Sequence, residues 1–422
     1  MKILWICNIL FPEAEKILTG SGAMKASGGW MVGLANSLKG CDGVDLAVAA
    51  LSPLVDELKC IQGEKITYFI LPYGKGNTKY NKEYEILWIQ VCKVYQPDVV
   101  HIHGTEYTHG LAYVKACGAD NVVVSIQGLV SVISGYYYSG LSLISIFKNI
   151  TLRDLIKGTI FHAKNRFLRR GRYEMELLQL VKHVIGRTSW DRAHIWCINP
   201  SIKYHFCNEI LRSAFYTASS WQYGKCIPHT IFVSQASYPI KGLHMLIKAM
   251  PLILRQYPDT LIRIAGKDIT LSKKGSLGRL KLSGYGKIIK SLIIKYQLKD
   301  RISFLGNLDA KDMIKEYLRA NVFICPSSIE NSPNSLGEAQ IIGTPIIASY
   351  VGGVPDMMSG YEEFLYRFDD VEMLAYKICQ IFDNQGNQVD MRGNANMRHG
   401  VEQNIKTTLE IYRTLCGESQ KE

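Results

Sequence analysis

Short, continuously apolar runs alternate along this 422-residue chain with longer stretches whose apolar positions recur every three or four residues, and the alternation occurs twice. In the first half Ile3–Ile6, Val44–Ala49, Ile66–Leu71, Val99–His103 and Val122–Ile126 read as strands, with helices over Met31–Leu38 and Tyr84–Tyr95. The pattern restarts at Ile231–Ser234 and helix Leu243–Tyr257, then continues through strands Leu261–Ala265, Ile302–Leu305, Val322–Cys325 and Pro345–Ala348. Strands that are apolar on both faces need cover on both faces, which means a parallel sheet between helices. The expected fold class is α/β: two Rossmann-like domains facing a central cleft, with a ligand at the C-terminal ends of the strands.

The turn-rich Gly224–Pro228 marks the expected break, giving an N-terminal domain over 1–225 and a C-terminal one over 226–395. After a polar loop at Gly393–Asn396, the helical spacing of Val401, Ile405, Leu409, Tyr412 and Leu415 predicts that 396–422 packs back on the first domain.

Composition bounds the function classes. With 47% hydrophobic and 20% charged residues the chain can bury a sizeable core, which excludes wholesale disorder. Its 11 cysteines are scattered, without a C-x-x-C or zinc-finger spacing, and read as reduced thiols of a cytoplasmic protein. The N-terminal apolar run meets Phe11, Pro12 and Glu13 without a small-residue cleavage site and reads as a first strand. Asn121–Phe147 is long enough to cross a bilayer and carries no formal charge, but its six Ser, three Tyr and Gln127 argue against a span.

The net charge of +12 is unevenly placed: Lys148–Arg172 holds eight Lys or Arg against the single acid Asp154. Leu152, Leu155, Ile156, Ile160, Ala163 and Phe167 recur there at helical spacing, giving an apolar stripe beside a cationic face. Such a helix suits the inner face of an anionic membrane, or packs its stripe on the core and solvates its charges. The second basic run, Lys273–Lys299, reads as a solvated face, and with no nucleic-acid-binding motif no nucleic-acid partner is expected.

The most specific chemistry lies in Cys325–Ala339. A strand ends at Cys325, a loop carries Glu330, and Pro333 suits the first turn of a helix. The amides of Asn334 and Ser335 then offer free N–H groups at the positive end of a helix dipole, a seat for phosphate. Glu338 lies five residues beyond Pro333, about 7.5 Å along the axis. Carboxylates on either side of an anion seat suit a diphosphate flanked by hydroxyl-bearing groups, the shape of a nucleotide sugar. The plainer alternative makes Glu330 a helix cap and Glu338 an exposed helix residue.

These residues, followed by Gly343–Pro345 and Gly352–Pro355, resemble the family-4 retaining glycosyltransferases of the GT-B fold, whose signature is E-x7-E, then G-x-P and a Gly-Gly-x-Pro turn. The likeness is close over Ile231–Asp356, looser over the first domain and weak between Tyr136 and Arg172. It implies that Glu330 binds donor-sugar hydroxyls and Glu338 the ribose hydroxyls. The amides of Asn331 and Ser332 would face the sugar, and those of Asn334 and Ser335 the distal phosphate. Pro333 stands where many members have Gly and removes one donor. Lys241, followed by Gly242, matches the family's lysine that neutralises the leaving diphosphate, while Gln235 falls at its arginine. Gly28 and Gly29 match glycines that let backbone approach the donor, or form an ordinary turn before a helix. Gln127 stands where many members carry a His that reaches the donor sugar.

His101 and His103 share one face of a strand end, and His103 is the third candidate catalytic residue beside Glu330 and Lys241. A metal reading of that pair with Glu106 or His109 lacks the remaining ligands. Arg187 could meet a phosphate or make a structural salt bridge. Asp369 and Asp370 form no D-x-D motif and read as a helix cap.

The reading is a hexosyltransferase that retains anomeric configuration, with a nucleotide-diphosphate sugar as donor and a lipid-linked or oligosaccharide acceptor in surface-polysaccharide synthesis. No cofactor and no obligatory metal are expected. A same-fold sugar-nucleotide epimerase, or a non-catalytic binder of nucleotide sugar or nucleic acid, remain alternatives.

Overall fold

Apolar runs become the strands of two sheets in the computed structural model of this chain, which describes residues 1–20, 29–73, 79–271, 282–384, 386 and 389–419. The chain divides into two units: Met1–Ile133, Arg166–Leu211 and His399–Glu422 form the first, and Ser134–Asn165 and Arg212–Arg398 the second.

Unit 1 is built on β1 (Lys2–Cys7), β2 (Asp45–Ser52), β3 (Lys59–Gln62), β4 (Ile66–Pro72), β5 (Val99–His103), β6 (Val122–Ser125), β7 (His183–Gly186) and β8 (Lys203–Phe206). Their order is β3-β4-β2-β1-β5-β6-β7-β8, and only the β3–β4 pairing is antiparallel. Alternation along β1 shows why its sequence is apolar throughout. Leu4 and Ile6 enter a core with Trp88 and Leu111, while Ile3, Trp5 and Cys7 enter the opposite core with Met31, Leu34 and Tyr412. Tyr412 belongs to the helix Val401–Ser419; its hydroxyl accepts from Trp5 Nε1 at 3.0 Å and meets His101 Nδ1 at 2.6 Å.

Unit 2 repeats the plan with β9 (Thr230–Val233), β10 (Leu261–Ile264), β11 (Ile302–Phe304), β12 (Val322–Cys325), β13 (Ile346–Ser349) and β14 (Leu365–Tyr366). All pairings are parallel, in the order β11-β10-β9-β12-β13-β14. The parallel strand order reverses between β1 and β5 in the first sheet and between β9 and β12 in the second. Beyond the C-terminal ends of such strand pairs the chain diverges to opposite faces and leaves a crevice.

Three expectations need correction. The segment 134–165 joins unit 2, and the main crossover falls at Leu211/Arg212 instead of near 225. Contacts remote in sequence decide this: Leu141 and Ile160 pack on the unit 2 core, the Asp154 carboxylate accepts from the Gly284 amide at 2.8 Å, and the Trp221 amide donates to the Ile342 carbonyl at 2.8 Å. At the other end unit 2 runs to Arg398, and Gly393–Asn396 lies inside the helix Arg392–Arg398 instead of a loop. Finally, 148–172 is not one amphipathic helix but parts of Leu143–Lys148, Leu152–Lys157 and Ile160–Leu180, the last two separated at Gly158, whose φ is +95°.

Asn121–Phe147 holds β6 and short helical turns, and among the described residues no helix is long and apolar enough to cross a membrane. Gly28 and the start of the basic run at Lys273 lie outside the described residues.

Candidate functional site

The crevice between β9 and β12 gathers most of the chemistry that the sequence singles out. Val233, Ser234 and Gln235 at the end of β9, Cys325, Pro326 and Ser327 after β12, and Lys241, Glu330 and Ser335 line one pocket of unit 2. Two glycines hold the loop Pro326–Glu330 in place. Gly242 has φ +69°, and a Cβ there would lie 1.6 Å from the Pro326 carbonyl oxygen. Gly352 has φ +54°, and its Cβ would lie 1.8 Å from the Glu330 carbonyl oxygen, which accepts from the Gly353 amide at 3.0 Å. The Lys-Gly pair and the Gly-Gly-x-Pro turn thus grip the loop from two sides, and only a residue without Cβ permits either approach.

Between the grips, Lys241 Nζ stands 2.5 Å from Glu330 Oε1, which also accepts from Ser327 Oγ at 2.7 Å. Burial works against the Lys241 charge, but the Glu330 carboxylate, Tyr238 and Cys325 together outweigh it and hold the ammonium above its ordinary pKa. Glu330 is therefore a charge partner of Lys241 and not a helix cap.

The helix Asn334–Ile342 starts one residue later than expected, with Pro333 as its cap position. Ser332, Asn334 and Ser335 are partly exposed, and among the described residues no hydrogen bond uses the Asn334 or Ser335 amide. The buried Oδ1 of Asn334 has no hydrogen-bond partner, and Asn331 is buried. Open N–H groups at a helix start, with Ser335 lining the same pocket as an ammonium, form an anion-binding arrangement. Gln235 is exposed at the pocket edge.

Glu338 differs from expectation. It is buried, and Arg212 grips both its oxygens, with Nε at 2.8 Å and Nη2 at 2.9 Å. Burial raises its pKa, against the hydrogen bonds and charge of Arg212. Arg212 uses one lone pair on each oxygen, so a hydroxyl would have to share the carboxylate with it. Nothing in the sequence near Arg212 marks this pairing, which spans 126 positions.

In unit 1 the residues that follow β1 and β5 meet at the corresponding switch in strand order. Asn8 Nδ2 donates to the His103 carbonyl at 3.3 Å and to Glu106 Oε2 at 3.2 Å. His103 is buried, stacked on His101 at 3.8 Å and edge-on to Trp5 at 4.3 Å, and neither ring nitrogen has a partner. Burial first, then the neighbouring His101 and Arg187, holds its pKa well below the ordinary value, so the ring is neutral. Glu106 is partly buried and pushed up to about 7, by burial and by Glu174, against its own amide, Arg170 and Asn8. Glu174 in turn accepts from Thr105 and from the amides of Val130 and Ser131. Sequence reasoning met Glu106 only as a metal ligand; among the described residues no group of three His, Cys, Asp or Glu is placed to hold one.

Gln127 follows β6 with a buried, unpartnered Nε2, and Gly29 opens the helix Gly29–Leu38. Arg187 is buried in an ion pair with Glu209, and Asp370 caps its helix by accepting from the Met373 amide at 2.9 Å.

Residues 227–398 match the family described as Glycosyl transferases group 1. A GDP-mannose-dependent monoacylated alpha-(1-6)-phosphatidylinositol monomannoside mannosyltransferase of Corynebacterium glutamicum is 28% identical over 153 residues, 35% of this chain and 36% of that protein. A D-inositol 3-phosphate glycosyltransferase of Corynebacterium urealyticum is 26% identical over 42% of this chain and 41% of its own. The chain thus spans about two fifths of these relatives' length. Among solved structures, sucrose-phosphate synthase from Thermosynechococcus elongatus superposes with a TM-score of 0.65 at 17% identity, covering 98% of both chains. Anabaena Alr3699/HepE in complex with UDP-glucose superposes with 0.62 at 14% identity, covering 97% of this chain and 99% of its own. The fold is that of the GT-B glycosyltransferases, two Rossmann-like α/β units.

Proposed function

We propose that this protein is a glycosyltransferase that takes a hexose from a nucleotide-diphosphate sugar and retains its anomeric configuration. The observation that carries the reading is the pocket in which Lys241, Glu330 and the open amide end of Asn334–Ile342 converge. A diphosphate there replaces Glu330 as the partner of Lys241, and Glu330 turns to the sugar hydroxyls. The amides of Ser332 and Asn331 lie toward the sugar, those of Asn334 and Ser335 toward the distal phosphate, and Glu338 toward the ribose, with Arg212 opposing the rise in its pKa that burial causes. Gln235, at the edge of the same pocket, completes the donor contacts of unit 2, while the roles of Gln127, Gly28, Gly29 and His103 rest on the resemblance alone.

No side chain need act as nucleophile. The acceptor hydroxyl attacks the face the diphosphate leaves, a phosphate oxygen takes its proton, and the protein supplies position and charge stabilisation. Lys241 and the helix start answer the charge of the leaving group, so no metal is required and a chelator is expected to leave the initial rate unchanged. The acceptor is a lipid-linked or oligosaccharide chain of surface-polysaccharide type, met at the cytoplasmic face of a membrane. A relative whose name specifies a phosphatidylinositol monomannoside, a glycolipid, supports a lipid-linked acceptor.

Thermal shift against UDP-, GDP- and ADP-sugars tests the donor reading, since a ligand at 100 times its Kd adds about 2.7 kcal/mol of stability. No shift with any of them defeats it. Incubation with the donor that binds then separates transfer, which needs an acceptor, from epimerisation, which changes the sugar nucleotide without one.

A further inference from the structure

Leu143, Ile144, Phe147, Leu152, Leu155 and Ile156 stand between 53% and 72% exposed on two consecutive short helices of unit 2, Leu143–Lys148 and Leu152–Lys157. The opposite side of the pair is anchored. Ile146 is buried, and the Asp154 carboxylate accepts from the amides of Thr151 at 3.1 Å and Gly284 at 2.8 Å. Thr151 Oγ1 donates to the Leu282 carbonyl at 2.8 Å, and Lys287 Nζ to the Lys148 carbonyl at 3.2 Å. These ties prevent either helix from rolling its apolar side inward, so the exposure is fixed by the fold.

Charge narrows the occupant. Within 134–165 the bases are Lys148, Arg153, Lys157 and Lys164, and the one acid, Asp154, is buried against Gly284. The solvent side of this segment is therefore apolar with basic residues and no acid, the pattern of a surface that enters an anionic lipid interface.

We propose that the face of Leu143–Lys148 and Leu152–Lys157 docks on an anionic bilayer. Its apolar side chains enter the acyl boundary, and the exposed Lys148 and Lys157 meet headgroup phosphates, with Arg153, 3.6 Å from Asp154, beside them. This deepens the lipid-linked acceptor reading, on which its functional purpose rests. It also moves the contact from the expected 148–172 stripe, where Ile160, Ala163 and Phe167 are partly covered, to residues that begin at Leu143. The segment lies outside the stretch that matches the family. It is coupled to the donor loop within unit 2. Ser139 Oγ and Ser328 Oγ are 2.8 Å apart, two residues before Glu330, and the Ser139 carbonyl meets His244 Nε2 at 2.8 Å.

The test is flotation of the full-length protein with phosphatidylcholine vesicles with and without phosphatidylglycerol. Flotation is expected only with the anionic lipid. It should fall by about tenfold or more in I144S/L155S/I156S, and similarly in K148Q/R153Q/K157Q or with added salt. Absence of flotation, or undiminished flotation of the apolar variant, overturns the proposal. So does a sedimentation result in which the same substitutions dissolve a dimer of the free protein, which would make a second copy the occupant. Stabilisation by nucleotide sugars in vesicle-free solution is read on each variant to confirm folding. Absence of vesicle binding by the unsubstituted protein with that response intact rejects the lipid face alone, and its vesicle binding without that response rejects the transferase reading alone.

Discussion

Lys241 and Glu330 neutralise each other across 2.5 Å before any ligand arrives. A diphosphate must therefore compete with a carboxylate for the ammonium. Glu330→Gln removes the competitor while preserving shape and hydrogen bonding. Nucleoside diphosphate is expected to bind Glu330→Gln several-fold more tightly than wild type by calorimetry, while transfer falls by about 10²–10³-fold because the sugar loses its charged partner. Lys241→Met should weaken both. Weaker diphosphate binding by Glu330→Gln would show that the pair does not stand in the ligand's way.

The two loop-gripping glycines give a steric prediction. Gly242→Ala and Gly352→Ala each drive a methyl into a backbone carbonyl, at 1.6 and 1.8 Å, from a left-handed conformation. Each is expected to cost more than about 3 kcal/mol, or to displace Pro326–Glu330 and abolish diphosphate binding. Gly360→Ala is the control: φ is +81° with nothing within 4 Å of the new carbon, so it should lose only about 1–2 kcal/mol and keep binding. Comparable melting curves for all three would refute the grip.

The inner strands were legible because they are buried on both faces and so read as unbroken apolar runs; β9, β12 and β13 fall within a residue of their expected bounds. β3 and β8 were missed because these edge strands are largely exposed and carry no apolar run, β7 because His183 and Gly186 bracket its two apolar residues, and β14 because two residues carry too little pattern. Lys241, Glu330 and Ser335 could be placed in one site because motif spacing ties each to a strand end. What spacing could not supply was pairing across the sequence. Glu338 carries no local sign that Arg212 occupies it, and Asp154 reads as a lone acid in a basic run although it caps the start of Gly284–Lys295. The assignment of 134–165 failed for the same reason: its anchors lie more than 100 positions away.

Arg212 is expected to be a stability residue with a distinct pH signature. In Arg212→Ala, Glu338 stays buried without its cation, at a cost of about 3–5 kcal/mol near pH 8. Burial already raises the Glu338 pKa above the ordinary 4.5, and losing Arg212 raises it further. A carboxyl whose folded pKa exceeds its unfolded one costs stability only above the unfolded value, increasingly until the folded value is passed. The deficit measured by urea melts should therefore narrow as pH falls toward 4.5, and Glu338→Gln in the Arg212→Ala background should recover part of it. A deficit independent of pH would mean that packing of Arg212 on Phe215, at 4.8 Å, and not its charge, is what the fold needs.

Glu106 should give the first unit a pH dependence of the same sign, without an ion pair. Its carboxyl is pushed up to about 7 from an ordinary 4.5, so between those values the folded chain keeps a proton that the unfolded chain releases. Stability of unit 1 then falls as pH rises through that window, because the unfolded state binds fewer protons. Glu106→Gln is permanently neutral and can still accept from Asn8. It should match wild type at pH 4.5 and exceed it by roughly 1–2 kcal/mol at pH 8. Tryptophan fluorescence is the suitable probe, since Trp5, Trp30, Trp88, Trp190 and Trp196 belong to unit 1 and only Trp221 to unit 2. If Glu106→Gln instead destabilises equally at both pH values, the carboxylate is held by contacts that a neutral amide cannot replace. Asn8 and the neighbouring Glu174 network would then need it ionised.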